Sequence, residues 1–353
     1  MKFALGFKKL RTQIKSLTRF KALIPLIQAL QNFYLVFRFI RDYRNTSNYL
    51  RSEWGSDCTN YIPLESCHEI NFSHKQNIFA YNPTLCLDKG KVRFFTRITN
   101  VSNKPEVNIF GQLQKRGAKF GTLNGIAEFE LDDSYQVIHY DEIVELAGVP
   151  NLEDPKAFVL EGQVALFCNL ITKEPNGYDR TFISKNAIFA LDTKNVIALE
   201  SPYFKNIEKN WIPIDVVDGT IRLFYSCNPL TILKVNLIDC ATSVEIIDRN
   251  LQIDFHGGSQ LIRINEDLLV RVVRRKMQMK NLGMIAVSYL MFHNNDLTVN
   301  KISKPFLFRK FGFEICNGLT LIDDCLVFTW GEDDIRNFIG RIRVNELINW
   351  VFD

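Results

Sequence analysis

After residue 55 the apolar positions of this chain fall in short runs of strand type, broken by turns, and helical periodicity is weak. One unit keeps returning: two such runs joined by a tight turn. It reads NPTLCLDKGKVRFFTRIT from Asn82, EDPKAFVLEGQVALFCN from Glu153 and NWIPIDVVDGTIRLFYSCN from Asn210. Looser copies are GGSQLIRINEDLLVRVVR from Gly257 and NGLTLIDDCLVFTWGEDD from Asn317. Further strand patterns follow each pair: VNIFGQLQ after Arg97, NAIFALDT after Cys168, TILKVNLI after Asn228, MIAVSYLMF after Arg271 and NFIGRIRV after Asp334. Recurrence of a multi-strand unit at this spacing marks a radial or solenoid array. Three or four strands per unit is the rhythm of a propeller blade. The pattern therefore predicts an all-β chain, a five-bladed β-propeller over 56–353, in preference to a β-sandwich. Strand NIFAYN (77–82) or the C-terminal strand is expected to close the last blade. DEIVELAGVP (141–150) is expected to give a short helical turn ended by Pro150.

Residues 1–55 read as a separate basic leader with a short helical segment. Residues 1–41 hold nine Lys and Arg and no acid, whereas the whole chain has a formal charge of +4, so the rest is net acidic. Positive charge confined to a leader argues against nucleic acid as a partner, which needs it on the folded domain. The uncharged run ALIPLIQALQNFYLVF (22–37) is shorter than the roughly 20 apolar residues of a spanning helix. Two readings stand: an amphipathic helix making peripheral contact with an anionic membrane through residues 1–41, or a helix packed on the main domain. Eight scattered cysteines without a C-x-x-C pair fit a reduced, cytoplasmic compartment.

The hairpin also places candidate chemistry. In an antiparallel pair, the start of the first strand and the end of the second lie at the same end. Around one axis, the heads Asn82-Pro83, Glu153-Asp154-Pro155, Asn210-Trp211 and Gly257-Gly258 would then rim one pocket together with the tails. Singly, each head is an ordinary turn signal; recurrence at equivalent positions makes them a site.

These heads resemble the landmarks of the five-bladed propellers of glycoside hydrolase family 130: an N-P opening, E-D-P-R, K-N-W, G-G and a closing Y-G-x-x-D. Here they stand as Asn82-Pro83, Glu153-Asp154-Pro155-Lys156, Lys209-Asn210-Trp211, Gly257-Gly258 and Trp330 to Asp334, over about 75–345. A nearer likeness is to a bacterial branch found beside glycosyltransferases, in Glu208 to Pro213, Tyr225 to Pro229, Gly257 to Leu261 and Ile315 to Leu319. The family contains β-mannoside phosphorylases and hydrolases and related mannosyltransferases. The resemblance implies a carbohydrate, sugar phosphate or sugar nucleotide as ligand. It makes Asp154 the general acid, Arg97 a contact to the sugar or a relay hydroxyl, Asn82, Asp333 and Asp334 hydroxyl ligands, and Lys209 part of an anion pocket. The chain departs from the family at Lys156, since lysine lacks the arginine fork. It departs again in LLVRVVRRK (268–276), where phosphorylases place a histidine. Both departures weigh against phosphorolysis. Arg271, Arg274 and Arg275 would bind an anion such as a nucleotide diphosphate or lie on a solvated face.

Inverting glycosyl transfer needs two carboxyls roughly 6.5–9.5 Å apart. The candidates are Asp154, Glu153, Glu208, Glu332, Asp333 and Asp334, with Asp154 and Glu208 assigned to catalysis. Asn82, Arg97, Glu153, Lys209, Asn210, Trp211, Gly257, Gly258, Asp333 and Asp334 are assigned to substrate binding. The same residue types fit a glycan-binding or scaffolding propeller without catalysis. The five histidines lack metal-ligand spacing, and no dinucleotide, Walker or nucleophile-elbow motif appears. Neither a metal nor a cofactor is expected.

Overall fold

The computed structural model describes residues 60–352, except 73–78, 100–105, 108–112, 115–123, 146–150, 174–181, 204–209, 250, 252–254, 280–282, 311 and 335. The expected leader, Glu208 and Lys209 lie outside the described residues. Five four-stranded antiparallel sheets make five blades, and four of them run in chain order from the inside out. The first is Phe79–Asp88, Lys91–Thr99, Asn124–Leu131 and Val137–Val144. The second is Asn151–Leu160, Gln163–Lys173, Phe182–Ala190 and Asn195–Leu199, and the third Ile212–Val217, Thr220–Cys227, Leu230–Asn236 and Thr242–Asp248. The fourth is Ile262–Arg263, Leu269–Met279, Gly283–His293 and Val299–Ile302. The fifth takes Glu314–Ile322, Cys325–Glu332 and Arg336–Arg343 from the end of the chain and its outer strand, Ser66–Ile70, from the beginning.

Closure therefore uses neither expected strand. Residues 79–82 open the innermost strand of the first blade, and the C-terminal segment is a helix, Val344–Phe352. This helix seats Leu347 on the core between the fourth and fifth blades and brings Trp350 edge-on to Phe306. Of the segment 141–150, where a helical turn was expected, residues 141–144 belong instead to the strand Val137–Val144, and 146–150 lie outside the described residues. The described ends of VNIFGQLQ lie in a two-stranded ribbon, Glu106–Val107 with Leu113–Gln114, its middle lies outside the described residues, and Asn124–Leu131 is the third strand of the blade.

Four hairpins turn on two successive residues with positive φ: Lys89-Gly90, Glu161-Gly162, Asp218-Gly219 and Asp323-Asp324. Such pairs match the right-handed twist of the strands, which is why D-K-G-K, L-E-G-Q and V-D-G-T recur. Apolar rows on the two faces of each blade meet those of its neighbours. Phe95, Leu152, Leu166 and Phe189 fill the space between the first and second blades. Phe167, Ile188, Trp211 and Leu223 fill that between the second and third. Each fully buried large side chain contributes about 1.5–3 kcal/mol. Near the axis, buried polar groups join the inner strands. Thr84 Oγ1 donates to Asn317 O (3.2 Å) and accepts from Ala157 N (3.2 Å). Gln260 Nε2 donates to Leu85 O (2.7 Å), and its Oε1 accepts from Leu319 N (3.2 Å).

Candidate functional site at one end of the axis

In the first two blades the inner strand carries an extra residue. Asn82 and Pro83 lie between the pairs Tyr81–Arg97 and Thr84–Phe95, and Asp154 and Pro155 between Glu153–Asn169 and Lys156–Phe167. Two residues thus oppose one on the neighbouring strand, which is a β-bulge, and bulges re-aim side chains. The proline is tolerated because a bulge position need not donate to the ladder. The residue before it takes a left-handed conformation, φ 59° at Asn82 and φ 50° at Asp154. Asn and Asp bear that conformation better than other side chains with a Cβ. Asn210 (φ 67°) and Gly257 (φ 54°) repeat it at the heads of the third and fourth blades.

The two bulges bring Asn82 and Asp154 into contact across the blades. Asn82 Nδ2 donates to Asp154 Oδ1 (2.9 Å). Arg97, at the tail of the first hairpin, donates from Nη1 to the same oxygen (3.3 Å) and from Nη2 to Glu153 Oε1 (3.0 Å). Asn124 Oδ1 accepts from Arg97 Nε (3.0 Å) and Nη2 (2.8 Å). Its Nδ2 donates to Asn151 Oδ1 (2.9 Å) and Glu153 Oε1 (3.1 Å). The Tyr81 ring lies 4.9 Å from the guanidinium carbon. Burial opposes the Arg97 charge, but Glu153 and Asp154 outweigh it and hold its pKa above the usual arginine value. The side chains of Arg97, Glu153 and Asp154 stay 13–18% exposed, so the cluster is sunk but reachable from solvent.

The other blades reach the same end. Asn210 N donates to Asn169 Oδ1 (3.2 Å), and Asn169 is the register partner of Glu153. A Cβ on Gly257 would lie 3.1 Å from the Asn210 Cβ and 2.9 Å from Arg274 Nη2, so Gly257 is where the fourth head passes over Arg274. Arg274 is buried, and among the described residues its Nε and Nη1 meet no acceptor. Burial lowers its pKa, and Asp154 and Asp334 offset this only in part. In the fifth blade a Cβ on Gly331 would lie 2.7 Å from Asn82 Oδ1. Asp334 acts electrostatically on Tyr81, Arg97 and Arg274. Asp333 is engaged sideways, accepting from Lys310 Nζ (2.6 Å) and Phe313 N (3.3 Å).

Two expected ligands are placed elsewhere. Trp211 is 1% exposed in the core between the second and third blades, with the Tyr225 ring 5.5 Å away, so it supports the wall and does not form it. Gly258 (φ 126°) is a packing glycine: an added Cβ would lie 1.8 Å from Val272 O. Of the other carboxylates considered, Glu332 is fully buried and paired with Arg309 at 2.8 Å. Asn124 and Asn151 carry no motif and were not visible in the sequence, whereas Asn169 ends the second hairpin copy, among the tails expected at the rim. His256 and Arg274 face one another in an isolated antiparallel bridge. Among the described residues there is no group of His, Cys, Asp and Glu that would hold a metal ion, and no helix long and apolar enough to cross a membrane. A hollow of about 900 Å³ opens beside the hairpin turns, between Val92, Phe94, Ile264, Ile322 and Arg343, and none of the expected site residues lines it.

No family model and no curated protein matches the chain. Solved structures do. A GDP-Man-dependent mannosyltransferase from Leishmania mexicana is similar with a TM-score of 0.54 at 14% identity, over 79% of this chain and 89% of that one. A β-1,2-mannobiose phosphorylase from Listeria innocua, in complex with β-1,2-mannobiose, gives 0.51 at 13% identity over 82% and 99%. A mannose phosphorylase from Leishmania mexicana, in complex with a phosphate ion, gives 0.51 at 10% identity over 87% and 94%. At such identities the shared property is the fold.

Proposed function

We propose that this chain is a carbohydrate-active enzyme whose site is the axial cluster, transferring or hydrolysing a glycosyl unit, with a mannoside as the first substrate class to test. The observation that supports this most is the joint placement of Asn82, Arg97, Glu153 and Asp154 by two strained bulges. Left-handed non-glycine residues cost about 1–3 kcal/mol each and persist at sites where their geometry is used. In this reading Asp154 protonates the leaving oxygen, Asn82, Glu153 and Asp334 bind hydroxyls, and Glu208 is the opposing carboxylate. Arg274, with donors left over, and Lys209 receive the phosphate of a sugar phosphate or sugar nucleotide. The neighbours named above act on mannosides or on GDP-Man, and the notable likeness of fold makes that class the natural starting point.

One observation favours a second reading, a propeller that binds glycan without catalysis. Both donors on Asp154 Oδ1 suit a carboxylate that accepts hydrogen bonds, as a hydroxyl ligand does. Asp154→Asn separates the two. General acid help is worth about 10²–10⁴ in rate, so turnover of mannose 1-phosphate, GDP-mannose or manno-oligosaccharides should fall by that factor while binding changes little. Unchanged turnover in a stable variant would exclude Asp154 as the acid.

A further inference from the structure

Two carboxylates share one guanidinium at the centre of this site, and how it serves both is set from the third strand of the first blade. Asn124 is 2% exposed, beyond the reach of a ligand. Its Oδ1 takes both Nε and Nη2 of Arg97, which fixes the plane of the guanidinium. In that plane Nη1 reaches Asp154 at 3.3 Å and Nη2 reaches Glu153 at 3.0 Å. The Asn124 amide then spends its two N–H groups on Glu153 Oε1 and Asn151 Oδ1, so Glu153 Oε1 receives two donors, one charged and one neutral.

An aspartate at 124 would offer Arg97 the same acceptor but would set a third carboxylate 3.1 Å from Glu153 Oε1, where an N–H now donates. An amide therefore does something an acid cannot. We propose that Asn124 is the positioning residue of the site: it aims one arginine at two carboxylates and, by being neutral, does so without adding a third negative charge beside Glu153 and Asp154. Tyr81, Asp334 and Arg274 also face this cluster, and none of them hydrogen-bonds to Asn124 among the described contacts. The word catalytic for the pair rests on the proposed function; the positioning claim rests on the geometry alone.

The test needs no substrate. The full chain is labelled with ¹³C at Asp and Glu carboxyls and ¹⁵N at Arg, and titrated by NMR; Glu153→Gln and Asp154→Asn assign the carboxyl signals. In Asn124→Asp the added like charge should raise the apparent midpoints of the Glu153–Asp154 group by about one pH unit or more. In Asn124→Ala, which adds no charge, the Arg97 Nε–H should exchange with water about tenfold faster than in the wild type, because its acceptor is gone. Midpoints unmoved in Asn124→Asp, or an Arg97 Nε–H equally protected in Asn124→Ala, would overturn the proposal. A lower melting temperature with both signals unchanged would do the same, since it is the behaviour of an asparagine that only packs. If Asn124→Asp does not fold, the exchange rate in Asn124→Ala decides. If both signals move but no sugar binds, the positioning stands and the carbohydrate reading falls.

Discussion

At the scale of the residue, the site is an exchange of hydrogen bonds around one half-buried arginine, Arg97. Removing the cation should expose what it does. Arg97→Met takes from Glu153 and Asp154 the cation that both accept from, and removing one partner of an ion pair costs about 3–5 kcal/mol when the pair is fully buried. With 13–18% of these side chains open to water, about 2–4 kcal/mol is expected from urea unfolding at pH 7. The deficit should shrink at pH 4, where protonation relieves the carboxylates; a deficit that is equal at both pH values would mean that Arg97 acts through packing alone. Asn82 and Asp154 stood out in the sequence because their heads recur at equivalent positions of the hairpin; that each head is a bulge was not legible there. Trp211 could not, since an aromatic next to a head looks the same whether it faces the pocket or the neighbouring blade. Asn124 was silent for another reason: it follows a long segment and its partners are 27 and more residues away.

At the scale of the element, two features of the strands make separate predictions. Gly162 sits in a hairpin turn with φ 79° and nothing within 4 Å of an added Cβ, whereas Gly258 backs onto Val272 O. Gly162→Ala should cost about 1–2 kcal/mol, the penalty of the left-handed backbone. Gly258→Ala should prevent a stable fold, and comparable melting temperatures for the two would contradict this account of the fourth blade. The second feature is Glu314, which opens the inner strand of the fifth blade and pairs in register with Glu332. It accepts N–H groups of Phe308, Arg309 and Lys310 at 2.7–3.0 Å, yet burial dominates and pushes its pKa up to about 7. A carboxyl raised in the folded state favours folding while protonated, so its stabilisation is complete below about pH 4.5 and is lost as pH rises through about 7. The wild type should therefore lose up to about 3 kcal/mol between pH 5 and 8 that Glu314→Gln does not lose. Parallel stability–pH curves for the two proteins would refute the assignment. None of this was legible from periodicity, which gives a strand its faces but not the charge buried at its end.

At the scale of the whole molecule, the five-fold pattern was legible because paired strand runs recur, four of them on a left-handed two-residue turn, and the closure was not. A strand of five residues, SCHEI, carries too little pattern to reveal that it pairs with Arg336–Arg343, more than 260 residues away. That pairing, with Glu69 bound to Arg336 and Ile70 in the core between the first and fifth blades, closes the ring. A chain beginning at residue 72 should unfold at lower urea than one beginning at residue 60, with loss of a single cooperative transition; identical transitions would mean that the ring holds without its outer strand. The ring matters because only a closed propeller brings Asn82, Asp154, Asn210, Gly257 and Asp334 to one end. The most direct test of the account is a crystal structure of the full chain soaked with a manno-disaccharide or mannose 1-phosphate. The account predicts a sugar in the axial mouth, with hydroxyl oxygens roughly 2.7–3.2 Å from Asp154, Asn82 and Arg97. A sugar held instead in the hollow beside Val92 and Ile322, with the axial cluster untouched at saturating ligand, would contradict it.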